Sequence, residues 1–330
     1  MPGTISISFL RNNRNPAYPA LWPIQKKCGA GSSIDLMQNI DLELRDFQGM
    51  RTIDIVGLLY GYKKIISTGI EESRAGSIKK AFKKYGLLFD VLDEGYDYRK
   101  QNCTYIISKE SAYVKSALSA YHARRYDIIG FLLGYPECCV RHHYGLISVR
   151  DTADDFVRRC HANSANFFWS INNIVDFDGR LSGRKAAGLD LSVVPYRSLI
   201  SHNPCSYDCK HSLKIAKMNR LILQKHVLHP GPESDYSILA KPVLYADDFN
   251  LAILNGASGP AGVEYIGAAY ILGFDGLQEK ISAGDRIVVR GNGFSVLRNE
   301  KNILKKNLPE KPLILPFDRC DAPGISMPKG

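Results

Sequence analysis

Two proline-led cysteine pairs constrain this chain more than any other feature. The first lies in "GYPECCVRHHYG", residues 134–145, as Pro136, Cys138 and Cys139. The second lies in "SHNPCSYDCKHSLKIA", residues 201–216, as Pro204, Cys205 and Cys209. Proline suits the beginning of a helix, where its missing N–H has no helical partner in any case. Both pairs are therefore expected at helix starts, with Asn203 capping the second helix and Cys205 and Cys209, four apart, on one face. A first helical turn exposes unpaired N–H groups and the positive end of the helix dipole. Thiols placed there lose their protons readily and are poised to bind metal or attack an electrophile. If the 65 residues between Cys139 and Cys205 fold so that the two helix starts meet, four thiolates surround one point.

The spacing selects among chemistries. Neither the C-x-x-C knuckle common in zinc fingers nor a C-x-x-x-C-x-x-C run occurs at these sites. Adjacent helical residues such as Cys138 and Cys139 point about 100° apart, which suits the separate irons of a cluster better than one small ion. An iron-sulfur cluster held by Cys138, Cys139, Cys205 and Cys209 is the expected cofactor, with zinc as the alternative. The competing reading, that these are inert core thiols, is weakened by the repeated proline-plus-pair pattern. Cys28, Cys103, Cys160 and Cys320 lack that pattern and read as filler, Cys160 on the apolar face of its helix. His142 and His143 follow Cys138 and Cys139 by four residues each. They read as cations at a helix C-terminus or as groups beside the site. His202 precedes the second pair and His211 follows it; His202 and His142 are the candidate catalytic groups. Asp208 is expected to complement the dipole of its helix.

At these residues the chain resembles an uncharacterised prokaryotic group, the domain of unknown function 483 family. The resemblance is carried by Gly134, Tyr135, Pro136, Cys138 and Cys139, and by Pro204, Cys205, Ser206, Asp208 and Cys209. It spans residues 90–225 and implies no particular reaction.

With 330 residues, 45% of them hydrophobic, the chain is long enough for two domains with separate cores. The expected class is α/β: a small α/β unit, a helical segment carrying the paired cysteines, then a smaller, mainly β C-terminal domain. Its divisions are an irregular arm over 1–48, an α/β plus helical domain over 49–228, a linker in "HPGPESDYS" at 229–237, and a β domain over 238–330. Short apolar, β-branched runs at "TIDIVGLLYG", "LLFDVLDEG" and "CTYIISK" suggest strands, with a helix from "SRAGSIKKAFKKYG" between them. Ser111 is expected to cap a helix leading into "DIIGFLLG". A helix from Thr152, with Asp155 completing a capping-box variant, would bury Phe156, Cys160, Phe167 and Ile171 on one face. The last helix, 205–226, would set Leu213, Met218, Leu221 and Ile222 against a stripe of Lys210, Lys214 and Lys217 that reads as a solvated face. Gly291-Asn292-Gly293 signals a hairpin; "NGASGPAG", 255–262, reads as a loop.

Composition narrows the function classes. Forty-three basic against 33 acidic residues leave a net charge of +10, which suits an anionic substrate or nucleic acid, although no basic run stands out. Eight cysteines are too few for a disulfide scaffold, and the N-terminus lacks a signal-peptide pattern, so a cytoplasmic setting is expected. No apolar run reaches the length of a membrane span. Walker, G-x-G-x-x-G, H-E-x-x-H and G-x-S-x-G motifs are missing from the sequence. The expected function is an iron-sulfur enzyme acting on a small molecule or RNA. The rivals are a zinc-stabilised nucleic-acid-binding module and a metal-free thiol-redox enzyme.

Overall fold

A computed structural model describes residues 47, 50–97, 102–144, 153–174, 185–186, 189–190, 198–225 and 236–318. All of them fall within one compact unit, Gln38–Gly330. The N-terminal arm apart from Phe47, the bulk of the linker (229–235), Thr152, Cys28 and Cys320 lie outside the described residues.

The chain is of mixed α/β class, and its first part is a small α/β unit. Helices α1 (Thr52–Leu59) and α2 (Glu72–Lys84) and strands β1 (Ile66–Glu71), β2 (Leu88–Asp97) and β3 (Asn102–Ser108) are followed by α3 (Ser111–His122) and α4 (Tyr126–Leu132). The strands form an antiparallel sheet in the order β1-β3-β2. Alternation of side chains along a strand sends Tyr105 and Ile107 of β3 into a core with α1 and α2. Ile106, between them, packs instead with Val114, Ala117 and Leu132 of α3 and α4. The sheet is therefore covered on both faces. "TIDIVGLL", expected as a strand, is α1, and the strand lies further on at Ile66–Glu71. β-branching favours strands only weakly, and five of α1's apolar side chains bury together in the helical form. Ser111 is the first residue of α3 rather than its cap; Glu110 occupies that position.

The helical segment comprises α5 (Glu137–Tyr144), α6 (Ala153–Ala162) and α7 (Lys210–Lys225), with a 3-10 turn at Trp169–Ile171 and a short β4–β5 pair (Lys185–Ala186, Leu189–Asp190). The helix expected to run on through Phe167 and Ile171 stops at Ala162; Ile171 belongs to the separate 3-10 turn. Beyond residue 236 the architecture is mainly β. Strands β6 (Val243–Asp247), β7 (Asn250–Gly259), β8 (Gly262–Leu272), β9 (Arg286–Arg290), β10 (Gly293–Arg298), β11 (Lys301–Asn307) and β12 (Leu313–Leu315) make one antiparallel sheet ordered β11-β10-β9-β8-β7-β6-β12. Helix α8 (Gln278–Ala283) buries Ile281 against it. The stretch 255–262, expected as a loop, is the end of β7, a turn at Pro260-Ala261 and the start of β8.

This sheet docks on the cysteine-bearing segment through a few specific contacts. Arg158 of α6 donates to Ala246 O at 2.6 Å and Lys311 O at 2.9 Å. The Phe317 ring meets Tyr207, midway between Cys205 and Cys209, edge-on at 4.9 Å. Burying an aromatic side chain such as Tyr207 contributes about 2–3 kcal/mol.

The first cysteine motif begins as a helix stop. Gly134 N–H donates to Phe131 O and Tyr135 N–H to Gly130 O, both at 3.0 Å, which is the paired-bond ending of α4 in which a glycine takes the left-handed conformation. Gly134 has φ +76°. Pro136 then ends the turn and accepts the first bond of α5 from Val140 N at 2.9 Å. A Cβ on residue 134 would sit 2.8 Å from the Tyr62 backbone oxygen. Gly134→Ala is accordingly expected to destabilise the protein by about 2 kcal/mol or more, measured as a lower urea midpoint; an unchanged midpoint would contradict this account of the turn.

Candidate metal centre

The two cysteine pairs, far apart in sequence, meet. The sulfurs of Cys138, Cys139, Cys205 and Cys209 all lie within 4.8 Å of one another, a group compatible with holding a metal ion. Cys138 Sγ is 3.9 Å from Cys139 Sγ and 3.6 Å from Cys209 Sγ, and Cys139 Sγ is 3.7 Å from Cys209 Sγ. Cys139 and Cys209 are buried, whereas Cys138 and Cys205 are half-buried, so the centre has an inner and an outer edge. No disulfide joins them; all four are free thiols.

Each pair reaches this point differently. Cys138 and Cys139 occupy the first turn of α5, as expected, with Glu137 paired to Arg141 at 2.6 Å one turn on. Cys205 and Cys209 do not share a helix face, because α7 starts only at Lys210. Cys209 is instead the cap: its carbonyl accepts from Leu213 N at 3.0 Å and its N–H donates to Ser206 O at 3.1 Å. Asp208 is held elsewhere. Its carboxylate accepts from Ala165 N and Asn166 N, at 3.0 and 3.1 Å, and from Ser206 Oγ at 2.6 Å, pinning the chain after α6 to the cysteine turn.

The segment leading to Cys205 has no regular structure, so its carbonyls need donors from outside it. They have them. Leu199 O accepts from Asn219 Nδ2 (2.7 Å), and Ser201 O from both Tyr135 Oη (3.1 Å) and Arg51 Nη1 (3.3 Å). His202 O accepts from Asn173 Nδ2, Pro204 O from His143 Nε2 (each 3.1 Å), and Cys205 O from Asn163 Nδ2 (3.2 Å). Lys63, only 5% exposed, donates to Ser201 Oγ and Leu133 O at 2.9 Å each and pairs with Asp54 at 2.9 Å. Burial pushes the Asp54 carboxyl up, but Lys63 and Arg51 outweigh it and hold the group below its ordinary range. Cys205 N–H points at Cys139 Sγ, 3.3 Å away, supplying a backbone donor to a sulfur.

Without a metal, the four thiols share protons. Donation by Cys139, then by Cys205, draws the Cys138 thiol down to about 6, and Cys209, accepting from all three neighbours, is lowered further. Cys139 and Cys205 are pushed up, chiefly by their bonds to Cys138. Metal binding at such a group displaces the retained protons and is therefore pH-dependent.

The histidines divide by distance. His142, half-exposed, accepts from Asn163 Nδ2 at 3.2 Å and makes no described contact with sulfur. His202 is buried and reaches the centre through Ser212: its Nε2 is 2.8 Å from Ser212 Oγ, which is 3.4 Å from Cys139 Sγ. Among the described residues, the histidine that touches a sulfur is His211, with Nδ1 3.6 Å from Cys138 Sγ. Ser212 and Lys63 were not singled out by the sequence reading. For Ser212 the signal was available, since three residues after a cap is the next position on the same side of a helix; for Lys63 nothing marks a buried lysine among 43 basic residues. Cys160 is a buried core thiol as expected, and Cys103 packs at the edge of the first core.

A scan against protein-family models finds no match, and searches of curated proteins and of solved structures find none either. Among the described residues no helix is long and apolar enough to cross a membrane.

Burial pushes the His143 imidazole down to about 4 and that of His202 down to about 3, the latter helped by the charge of Lys63. Both lie below the unfolded value of about 6.5. Between those values the unfolded chain binds protons that the folded one does not, so their contribution is complete above pH 6.5 and declines as pH falls toward 4 and 3. Metal-free protein is expected to lose urea resistance across that window, and His143→Gln should flatten the upper part of the decline. A midpoint independent of pH from 7 to 4 would rule this out.

Proposed function

We propose that the four cysteines hold a single tetrahedral ion, zinc, which fixes helix α7 so that its basic face binds nucleic acid. The observation that carries the metal assignment is the sulfur spacing. Zinc with thiolates at about 2.3 Å in a tetrahedron sets the sulfurs about 3.8 Å apart, against the observed 3.6, 3.7 and 3.9 Å. A four-iron cluster takes each cysteine on a separate iron, which holds the sulfurs further apart than one shared ion does, and all four here lie within 4.8 Å of one another. The spacing thus favours the ion that the sequence reading kept as the alternative. The four residues offer the donor set of a structural zinc site, and the metal would supply a closed crosslink between α5 and α7.

Helix α7 supports the second half of the proposal. It contains no acidic residue, and Lys210, Lys214 and Lys217 stand exposed along one side over about 10 Å. None has an acidic partner among the described residues. Leu221, expected on the inner face, lies on this side, 45% exposed. Lys210 occupies the first turn, where a cation costs about 0.3–1 kcal/mol against the helix dipole. Four thiolates around a dication carry a net charge near minus two, which offsets that cost. A row of unpaired lysines is the electrostatic footprint of a phosphate backbone. We propose further that the chain belongs with the uncharacterised group whose two motifs it resembles, a kinship that assigns no reaction.

Elemental analysis of protein purified without oxygen should give one zinc per chain and a colourless solution. About four irons and a brown colour would replace the ion by an iron-sulfur cluster; no metal, with one rapidly alkylated cysteine, would favour a thiol enzyme. For the partner, fluorescence anisotropy with a labelled oligonucleotide should show affinity falling with salt at a log–log slope near −3 for duplex DNA, about −0.9 per phosphate neutralised. Lys214→Gln and Lys217→Gln should each reduce the slope by about one. Equal binding by wild type and the double variant would remove α7 from the interface.

A further inference from the structure

Ser212 and His202 form a buried line that ends on the metal centre and belongs to no other function described above. Ser212 is fully buried on α7, its Oγ 3.4 Å from Cys139 Sγ and 2.8 Å from His202 Nε2. His202 is 6% exposed, and its ring lies against that of Tyr135 at 5.2 Å. Tyr135 is fixed in turn by its bond to Ser201 O and by the Lys63 ammonium over its ring at 5.1 Å. The histidine is thus held on its flank by Tyr135 while its Nε2 meets a hydroxyl that itself faces a sulfur.

We infer that Ser212 and His202 are positioning residues that tune the thiolates of the centre, an inference that rests on the metal reading above. A metal-bound thiolate is an acceptor only, so the Ser212 proton points to Cys139 Sγ. That leaves the lone pairs of Ser212 Oγ to accept, and the group opposite them is His202 Nε2, which therefore carries the ring proton. The order is N–H to oxygen, then O–H to sulfur. Each bond polarises the next, and the last one withdraws electron density from the sulfur. Together with the Cys205 N–H on the same atom, at 3.3 Å, Cys139 receives two donors on the inner edge of the centre. Cys138, on the outer edge, has His211 instead. The line therefore makes Cys139 the less nucleophilic, firmly held ligand and leaves Cys138 the more exposed one.

Partners that orient metal ligands change affinity by about 10- to 100-fold when removed. Zinc affinity, measured by competition with a chromophoric chelator, is expected to fall by about that factor in Ser212→Ala and to stay within about threefold in Ser212→Thr, which keeps the hydroxyl. His202→Gln, whose amide can still donate, should lie close to wild type, and His202→Leu close to Ser212→Ala. The Ser212→Ala/His202→Leu double variant should bind no more weakly than either single one, because both break one line. Cobalt(II)-substituted protein adds a readout that a merely structural role would not move: the sulfur-to-metal charge-transfer band should shift to lower energy in Ser212→Ala and not in Ser212→Thr. Circular dichroism melting identifies any variant that fails to fold, and the threonine and glutamine variants keep the comparison open in that event. Wild type that takes up neither zinc nor cobalt overturns the metal reading. Wild type that binds tightly while Ser212→Ala matches it in affinity and spectrum overturns this inference alone.

Discussion

An irregular strand of backbone running through a protein interior must find a donor for nearly every carbonyl. Residues 199–205 meet that requirement with side chains drawn from across the chain: Arg51, Tyr135, His143, Asn163, Asn173 and Asn219. An unmade bond at a buried carbonyl costs about 1–3 kcal/mol, so these donors fix the path of the segment closely. Cys205 and Cys209 are delivered to Cys138 and Cys139 by this scaffold, with Tyr207 buried between them as an anchor. The centre is thus assembled by packing as well as by any ion it holds. This differs from small zinc fingers, in which the metal supplies the folding energy.

Charge follows the same arrangement. A buried lysine is costly unless paired, and Lys63 is paired with Asp54 while bonding Ser201 and Leu133. Its position next to the segment that carries His202 helps to keep that imidazole neutral. The first turn of α7 presents Lys210 where an acidic residue would ordinarily favour the dipole. From that turn the exposed lysines Lys210, Lys214 and Lys217 continue along one side of α7.

Much of the architecture was legible from pattern. The hairpin at Gly291-Asn292, the core position of Cys160 and the mainly β character of the last third follow from local chemistry, and the structure contains them. Where the reading failed, tertiary packing overrode a local preference. Thr52–Leu59 is β-branched but helical because its apolar side chains bury together against a neighbouring sheet and helix. The glycines of 255–262 suggested a loop, yet Gly256 lies where a Cβ would meet Glu264 O at 1.9 Å, so the missing side chain permits close pairing of β7 with β8. Leu221 was assigned inward by spacing alone and lies with the lysines.

Local residue chemistry alone sets the geometry of the first cysteine pair. Gly134 can adopt a positive φ, Pro136 cannot continue a helix, and the two together stop α4 and start α5 with Cys138 and Cys139 in its first turn. For the second pair the sequence indicated a helix nearby but placed Cys205 and Cys209 inside it, with Asn203 as cap, whereas the helix begins only at Lys210. That the pairs meet, that His211 rather than His142 or His202 touches a sulfur, and that Ser212 stands between His202 and Cys139 follow from long-range packing instead. The reason is one of range: backbone preferences act over a few neighbouring residues, whereas a contact across seventy residues depends on how whole cores pack, which no short stretch encodes.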